Sequence, residues 1–258
     1  MFKDIAMSRK YLHLPERKNA NVRQNIVVLS GAGISAESGI STFRDSGGLW
    51  KRFDLERLAS AAGFYEDPES ALEFYNSLRK DISNAEPNHA HNLLAELEKW
   101  HNVTIITQNV DDLHERAGSS NVIHLHGEMA KVTSSINRNN PDFVKEFPLD
   151  VPIRIGDKAA DGSQLRPHVV LFGEYVTGFD DAKKLVKEAD VFLVIGTSLK
   201  VHPAASLVRY AHSEIPKFII DPCEELTSCC EEFGFEHFKE KATIGVELFI
   251  DRLIELLE

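Results

Sequence analysis

The chain has 258 residues, of which 43% are hydrophobic and 27% charged, and its formal net charge is -11 at pH 7. This length suffices for one large domain, or for a domain with a smaller insertion, around a sizeable apolar core. The negative charge argues against a general nucleic-acid surface, and no apolar stretch reaches the length of a membrane span. The N-terminal 25 residues lack the apolar segment of a secretory signal. Three clustered cysteines (Cys223, Cys229 and Cys230) are too few for a disulfide framework. We therefore expect a cytoplasmic protein.

Short runs rich in Val and Ile recur along the chain without strict alternation, which is typical of strands buried on both faces of a parallel sheet. These runs lie at residues 25–30, 102–109, 121–127, 168–174, 190–198 and 217–222. Apolar residues at helical spacing predict helices at residues 89–100, 180–189 and 243–258. The alternation predicts an α/β fold, with helices on both faces of a parallel sheet.

Two segments interrupt this alternation. Residues 42–86 have helical patterns and many aromatic residues but no strand pattern, and they are predicted to form a helical insertion. Residues 128–166 are polar and rich in turn residues. Because a structureless loop of that length is unusual inside a compact domain, we interpret them as a second insertion.

The first predicted strand runs into Gly31-Ala32-Gly33-Ile34-Ser35-Ala36, which matches the G-x-G-x-x-A pattern of a turn that brings main chain close to a pyrophosphate. An ordinary dinucleotide-binding domain would next supply a strand ending in a ribose-binding acid. The corresponding stretch, "WKRFDLERLAS", is helical in pattern, so Asp54 and Glu56 are interpreted as solvated helix residues. A tight strand-to-helix turn without a ligand remains an alternative for the glycine motif.

Polar residues also follow three later strands. Gln108, Asn109 and Asp111 follow the second strand, where an open α/β sheet binds ligands, although an Asx turn with a helix cap would use the same residue types. Further polar residues follow two other strands, namely Gly196, Thr197 and Ser198, and then Asp221. The first of these groups could instead simply begin a helix. We expect the four strand ends to meet at one crevice.

His126 in "HLHGE" is the candidate general base, because a histidine at a strand end can titrate near neutral pH. In a regular strand His124 would share its face.

Taken together and in this order, the motifs "GAGISAESGISTFRDSGGLW", "TQNVDDLHERAG", "HLHGE", "RPHVVLFGE" and "VIGTSLKVHPAA" closely resemble the sirtuins, the family of NAD-dependent protein deacylases. The resemblance spans about residues 25–222. It implies a Rossmann-like NAD-binding domain from residues 1–41, 87–127 and 167–258. It also implies a small domain built from residues 42–86 and 128–166, with an acylated lysine of a protein or peptide entering between the two.

The resemblance also implies roles for individual residues. His126 would be the general base that deprotonates a ribose hydroxyl, with Asn109 and Asp111 as further catalytic residues in the nicotinamide pocket. Val170, Phe172, Gly173 and Glu174 would pair with the substrate backbone by strand addition, and Tyr75 would line the acyl site. The implied NAD-binding residues are Gly31, Ala32, Gly33, Ser35, Phe43, Arg44, Gln108, Asn109, Asp111, Gly196, Thr197, Ser198 and Asp221.

The sequence departs from the family pattern in its small domain. The family carries two cysteine pairs there that bind structural zinc, whereas this chain has no cysteine between Gly127 and Pro167. We therefore predict no structural zinc. Stability would then depend on apolar packing by Val144, Phe147, Val151 and Ile153.

A second departure concerns the acyl group. Relatives that favour acidic acyl groups have a Tyr-x-x-Arg pair, but here Leu78 lies three residues after Tyr75 and Arg79 one further on. One residue is about 100° of helix rotation, so Arg79 is predicted to point away and neutral acyl groups are favoured.

Two other functions stay open at this point. An NAD glycohydrolase or protein ADP-ribosyltransferase would keep the NAD site, and the missing zinc cysteines favour it. The retained "HLHGE", "VVLFGE" and "TQNVD" favour deacylation. A module that binds NAD or ADP-ribose without turnover is a third reading, against which Asn109, Asp111 and His126 argue.

Overall fold

The computed structural model describes residues 23–42, 49 and 53–257. A six-stranded sheet forms the larger part of the molecule, with all neighbouring strands parallel. Its strands, in spatial order, are β3 (Val122–His124), β2 (Asn102–Thr107), β1 (Asn25–Ser30), β7 (Val191–Ile195), β8 (Lys217–Ile220) and β9 (Glu236–Phe238). A second, antiparallel sheet has the order β5 (Lys145–Glu146), β4 (Gly127–Ser134) and β6 (Leu165–Val169).

Helices cover both faces of the large sheet. The α-helices of the described residues are α1 (Leu55–Leu58), α2 (Ala61–Glu66), α3 (Pro68–Asn84), α4 (His89–Leu97), α5 (Leu113–Ala117), α6 (Phe179–Lys187), α7 (Thr227–Phe233) and α8 (Ala242–Leu257). Short 3₁₀ helices occupy Ala32–Ser38, Pro141–Phe143, Ala204–Arg209 and Glu224–Leu226. None of the helices in residues 23–42, 49 and 53–257 is both long and apolar enough for a bilayer crossing.

The central strand shows why its sequence is apolar without alternation. Ile26 and Val28 belong to one buried cluster, which α4 and α8 complete. Val27 and Leu29 belong to another, on the side of α6. Both sets of side chains are 0–2% exposed, so residues 26–29 of β1 are buried on whichever face they lie. The predicted α/β fold with helices on both faces is confirmed.

A third buried cluster joins the two segments that interrupt the alternation. Leu72 and Phe74 of α3 pack in it with Met129 and Val132 of β4 and with Leu165 of β6. Helix α3 begins where Asp67 accepts a hydrogen bond from the Ser70 amide, and Pro68 occupies its first turn. The domain junctions proposed at 127/128 and 166/167 both fall inside strands of the small sheet.

Two predicted strands are wrong in their extent. The run at residues 121–127 breaks after His124, because Gly127 has a φ of +78° and begins β4. A Cβ at Gly127 would lie 2.0 Å from the His168 carbonyl oxygen, so the close pairing with β6 requires glycine. The run at residues 168–174 does not join the parallel sheet. Its strand ends at Val169 and pairs with β4, since Glu174 accepts a hydrogen bond from the Leu171 amide and bends the following chain.

The apolar packing predicted for residues 144–153 is partly wrong. Ile153 is 1% exposed and belongs to the third cluster, and Phe147 packs against that cluster. Val151 is 42% exposed, and Val144 is only half-buried. Asp54 and Glu56 are exposed, as predicted, and the Asp54 carboxylate caps α1 by accepting from the Arg57 amide.

Candidate active site

One cavity of about 740 Å³ lies at the carboxyl ends of the central strands and extends to the small sheet. Its volume falls within the usual range for a ligand pocket. Of the residues predicted from the sequence, the cavity is lined by Gly31, Ala32, Gly33, Tyr75, Gln108, Asn109, His126, Val170, Phe172, Gly173, Glu174, Gly196, Thr197, Ser198 and Asp221. Ser35 and Asp111 lie outside this lining. Phe43 and Arg44 lie outside the described residues.

The glycine turn after β1 packs directly against the turn after β7. The amide of Gly33 donates to the Gly196 carbonyl at 2.8 Å, and a Cβ at Gly33 would lie 2.6 Å from the Gly196 Cα. The glycines therefore have a packing role that does not depend on a ligand. This close contact places the main chain of both turns on one wall of the cavity.

Ser35, Asn109 and Asp111 form one buried hydrogen-bond network. The Asn109 side-chain amide donates to the Ser35 hydroxyl at 3.1 Å, and that hydroxyl donates to the Asp111 carboxylate at 3.0 Å. The other Asp111 oxygen accepts from the Leu113 amide. Burial raises the pKa of Asp111, although these two hydrogen bonds oppose the shift. Asn109 thus lies on the cavity wall, and its carboxamide is held in place by the buried Ser35 hydroxyl and, through it, by Asp111.

His126 presents one ring nitrogen as a proton acceptor. Its Nδ1 lies 3.0 Å from the Gln108 carbonyl oxygen. Because a carbonyl can only accept, Nδ1 carries the proton and Nε2 keeps its lone pair. Burial lowers the pKa of His126, and the hydrogen bond to Gln108 only partly opposes this. The neutral ring on the cavity wall has the properties of a general base.

Gln108 connects two strand ends, since its side-chain amide donates to the Thr197 hydroxyl at 3.0 Å. Asp221 lines the cavity at the end of β8, and its carboxylate accepts from the Cys223 amide at 2.8 Å. The expected crevice is therefore assembled from four strand ends, together with the hydrogen bonds that brace them.

The segment at residues 169–174 forms the rim beside the small sheet. The Val170 amide donates to the His126 carbonyl at 2.8 Å. Phe172 exchanges two main-chain hydrogen bonds with Ala59 and Ala61, and its ring is 42% exposed. The main chain at Phe172 is thus already paired with the small lobe, which consists of α1, α2, α3 and the sheet of β5, β4 and β6. This pairing limits where a peptide could add as a strand.

Glu174 is held by two arginines. Its carboxylate pairs with Arg166, which is 2% exposed, and with Arg138 at 3.3 Å. Because it also accepts from the Leu171 amide, Glu174 fixes the shape of the rim. Sequence reasoning missed Arg138 and Arg166. The adjacent Arg in "RPHVVLFGE" was a signal for Arg166, while Arg138 lies in a segment without a pattern.

Arg79 is turned away from the cavity, as its helical position predicts. Its guanidinium is fully buried and donates to the carbonyls of Met129 and Pro148, with longer bonds of 3.4 Å to those of Phe147 and Val151. Burial lowers the pKa of Arg79 to about 10. One cation therefore ties α3 to β4 and to the loop that follows β5.

Among the described residues, there is no group of three or more metal-ligating side chains.

Apolar residues on the small-lobe side were also missed by the sequence reasoning. Phe74, Leu78, Val110, Met129 and Leu171 line this part of the cavity. Their individual positions carry no local motif, so only the tertiary packing of α3 on β4 and β6 brings them together.

The Sir2 family profile matches residues 31–203. The NAD-dependent protein deacylase of Bacteroides thetaiotaomicron is 54% identical over 200 residues, which cover 77% of this chain and 86% of the relative. That of Helicobacter pylori strain 26695 is 52% identical over 199 residues, covering 77% and 85%. A solved Sir2 homologue in complex with NAD has a TM-score of 0.78 at 38% identity and covers 98% of this chain and 96% of its own. A Sir2 homologue variant bound to ADP-ribose has a TM-score of 0.81 at 39% identity, covering 90% and 93%. The chain belongs to the Sir2 family.

Proposed function

We propose that this protein removes acyl groups from lysine side chains of proteins with consumption of NAD, releasing nicotinamide and O-acyl-ADP-ribose. The observation that carries the proposal is that one cavity is lined by bare main-chain turns, by the Asn109 carboxamide, by neutral His126 and by an apolar surface. The relatives named NAD-dependent protein deacylases and the neighbours bound to NAD and ADP-ribose support the same activity.

The residues present suit NAD as a substrate. The turns at residues 31–33 and 196–198 offer main chain at the strand ends, where α/β sheets hold phosphates and ribose. Asn109, braced by Ser35, would hold the carboxamide of nicotinamide. His126, with its Nε2 available to accept a proton, would act as the general base on a ribose hydroxyl. Orientation of the weakly nucleophilic acyl oxygen would supply much of the catalysis.

The acyl group is proposed to be neutral. The part of the cavity near Tyr75 is lined by apolar side chains including Leu78 and Met129, and the Arg79 guanidinium is committed to main-chain carbonyls. The two lysines in the lining, Lys200 and Lys241, follow β7 and β9. They thus lie on the far side of β1 from β2 and α3. Arg166, which interacts electrostatically with Tyr75, is already paired with Glu174. The described residues around this part of the cavity therefore offer an acyl carboxylate no uncommitted cation, and its desolvation there is costly.

The test is nicotinamide release by the purified protein with NAD, alone and with acetyl-, hexanoyl- and succinyl-lysine peptides of one sequence. We expect release that requires a peptide, with at least tenfold higher kcat/KM for the two neutral acyl groups. Equal release without peptide would indicate an NAD glycohydrolase. ADP-ribose on protein would indicate transfer, and NAD binding without any release would indicate a binding module.

A further inference from the structure

The two histidines of "HLHGE" hold two consecutive carbonyls of the strand end that carries Asn109. His126 Nδ1 lies 3.0 Å from the Gln108 carbonyl oxygen, and His124 Nδ1 lies 3.0 Å from that of Asn109. The rings differ in what faces Nε2. In His124 this nitrogen lies 2.8 Å from the Glu115 carboxylate.

This geometry requires a charged ring at His124. Nδ1 must donate, because its partner is a carbonyl oxygen. A neutral ring would then turn the lone pair of Nε2 toward the Glu115 carboxylate, which can also only accept. The imidazolium satisfies both partners at once, and a charge-assisted hydrogen bond at a side chain only 7% exposed is strong.

The pair also joins α5 to the end of β3, next to the Asn109 segment. Glu115 lies in α5, which begins two residues after Asp111, and His124 ends β3. The Asn109 main chain is held on its other side by the Thr107 hydroxyl, which accepts from the Asn109 amide at 3.0 Å. Without His124, the main-chain carbonyl of Asn109 loses its donor.

We propose that His124, as an imidazolium paired with Glu115, is a positioning residue that fixes the Asn109 carboxamide for the NAD reaction, and that its loss of a proton ends activity at alkaline pH. This inference rests on the proposed function. His124 touches Asn109 rather than the cavity, so it acts through its neighbour.

The surrounding charges support the imidazolium. Burial opposes the charge on His124, but the hydrogen bond and charge of Glu115, together with Glu128 of β4, outweigh burial and raise its pKa. Asp111 and His114 also interact electrostatically with the ring, and Lys131 pairs with Glu128 at 2.7 Å. Among the residues that the structure describes, no carboxylate pairs with Nε2 of His126, and burial lowers the pKa of this ring. One motif therefore holds one charged and one neutral histidine.

The test compares pH profiles of kcat/KM for NAD in the wild type and in Glu115→Gln. The wild type should give a bell, rising as neutral His126 forms and falling as His124 loses its proton. A glutamine amide can donate to Nε2 of a neutral ring, so the variant keeps the contact but should lose the alkaline fall. His124→Leu should lower kcat/KM at least tenfold at every pH, since small misplacements near reacting groups are costly.

Glu247→Gln is the matched control. Glu247 pairs with His89 Nε2 at the same 2.8 Å distance, between α4 and α8, and should leave the profile unchanged. NMR of ¹⁵N-labelled imidazoles should show both nitrogens of His124 protonated at pH 7.

An alkaline fall that persists in Glu115→Gln, or a neutral His124 at pH 7, would overturn the positioning role of His124 but not the proposed function. If the wild type released no nicotinamide at any pH, the proposed function would fail and the positioning role with it.

Discussion

Replacing Arg79 by methionine should destabilise the small lobe. Methionine fills a similar elongated volume but removes the Arg79 donors from the buried Met129 carbonyl and from the Pro148 carbonyl. The Pro148 carbonyl still accepts from the Val151 amide at 3.2 Å, so the main cost falls on the Met129 carbonyl. A buried carbonyl left without a donor costs about 1–3 kcal/mol. Smaller contributions to stability come from the longer bonds to the Phe147 and Val151 carbonyls. The guanidinium also lies 5.2 Å from the centre of the Phe147 ring, which adds a weak cation–π contact.

The removal of a buried cation offsets part of this destabilisation, because burying a charge is itself unfavourable. We therefore expect a net loss of about 1–3 kcal/mol in the free energy of unfolding. Arg79→Lys should fall between the wild type and Arg79→Met, since a single ammonium cannot span carbonyls on both β4 and the loop that follows β5.

Urea denaturation measures this loss, and hydrogen exchange locates it. Amides of β4 and of residues 145–153 should exchange faster in Arg79→Met, while those of β1 and β7 should change less. Arg116→Met is the matched control, because Arg116 also donates to two main-chain carbonyls, those of Ile82 and Ala85, but its side chain is 27% exposed. Water can replace it there, so the loss should stay below about 1 kcal/mol. A loss for Arg79→Met that is no larger than the loss for Arg116→Met would contradict the role assigned to the Arg79 guanidinium.

Three further predictions follow from the site and the core. His126→Ala should lower deacylation at least about 10²-fold while NAD affinity, measured by calorimetry, stays within a few-fold; turnover at the wild-type rate would remove His126 from its role. Burial lowers the pKa of His91 to about 4, so this neutral ring contributes stability that is complete above pH 6.5 and is lost as the pH falls toward 4. His91→Gln keeps an acceptor for the Asn88 amide and should flatten this pH dependence in urea titrations at pH 7.5 and 4.5, whereas an unchanged slope would contradict the assignment. Metal analysis should find less than stoichiometric zinc, and a chelator should leave Tm unchanged; one bound zinc per chain would overturn this expectation.

Five strands of the large sheet could be predicted because their information is local, whereas β9 (Glu236–Phe238) is not among the predicted runs. Each of the sheet's central strands is a continuous apolar run, and such a run has few alternatives to burial on both faces. The polar residues after those runs then had to share one edge, so the crevice followed from topology.

The small lobe could not be predicted in the same way. Strand β4 pairs with β6, more than 30 residues away, and its register shifts between Glu128 and Val132. Arg79 binds main-chain carbonyls, which every residue possesses and which therefore leave no trace in the sequence. The charge on His124 depends on Glu115 in another element, so the "HLHGE" motif alone could not separate the two histidines.

Product stoichiometry distinguishes deacylation of lysine from simple hydrolysis of NAD. Purified protein, NAD and one acetyl-lysine peptide are incubated, and nicotinamide, free-lysine peptide and O-acetyl-ADP-ribose are quantified together by mass spectrometry. The proposed deacylation predicts equal amounts of all three and none without peptide. Nicotinamide accompanied by plain ADP-ribose and intact acetyl peptide would contradict it.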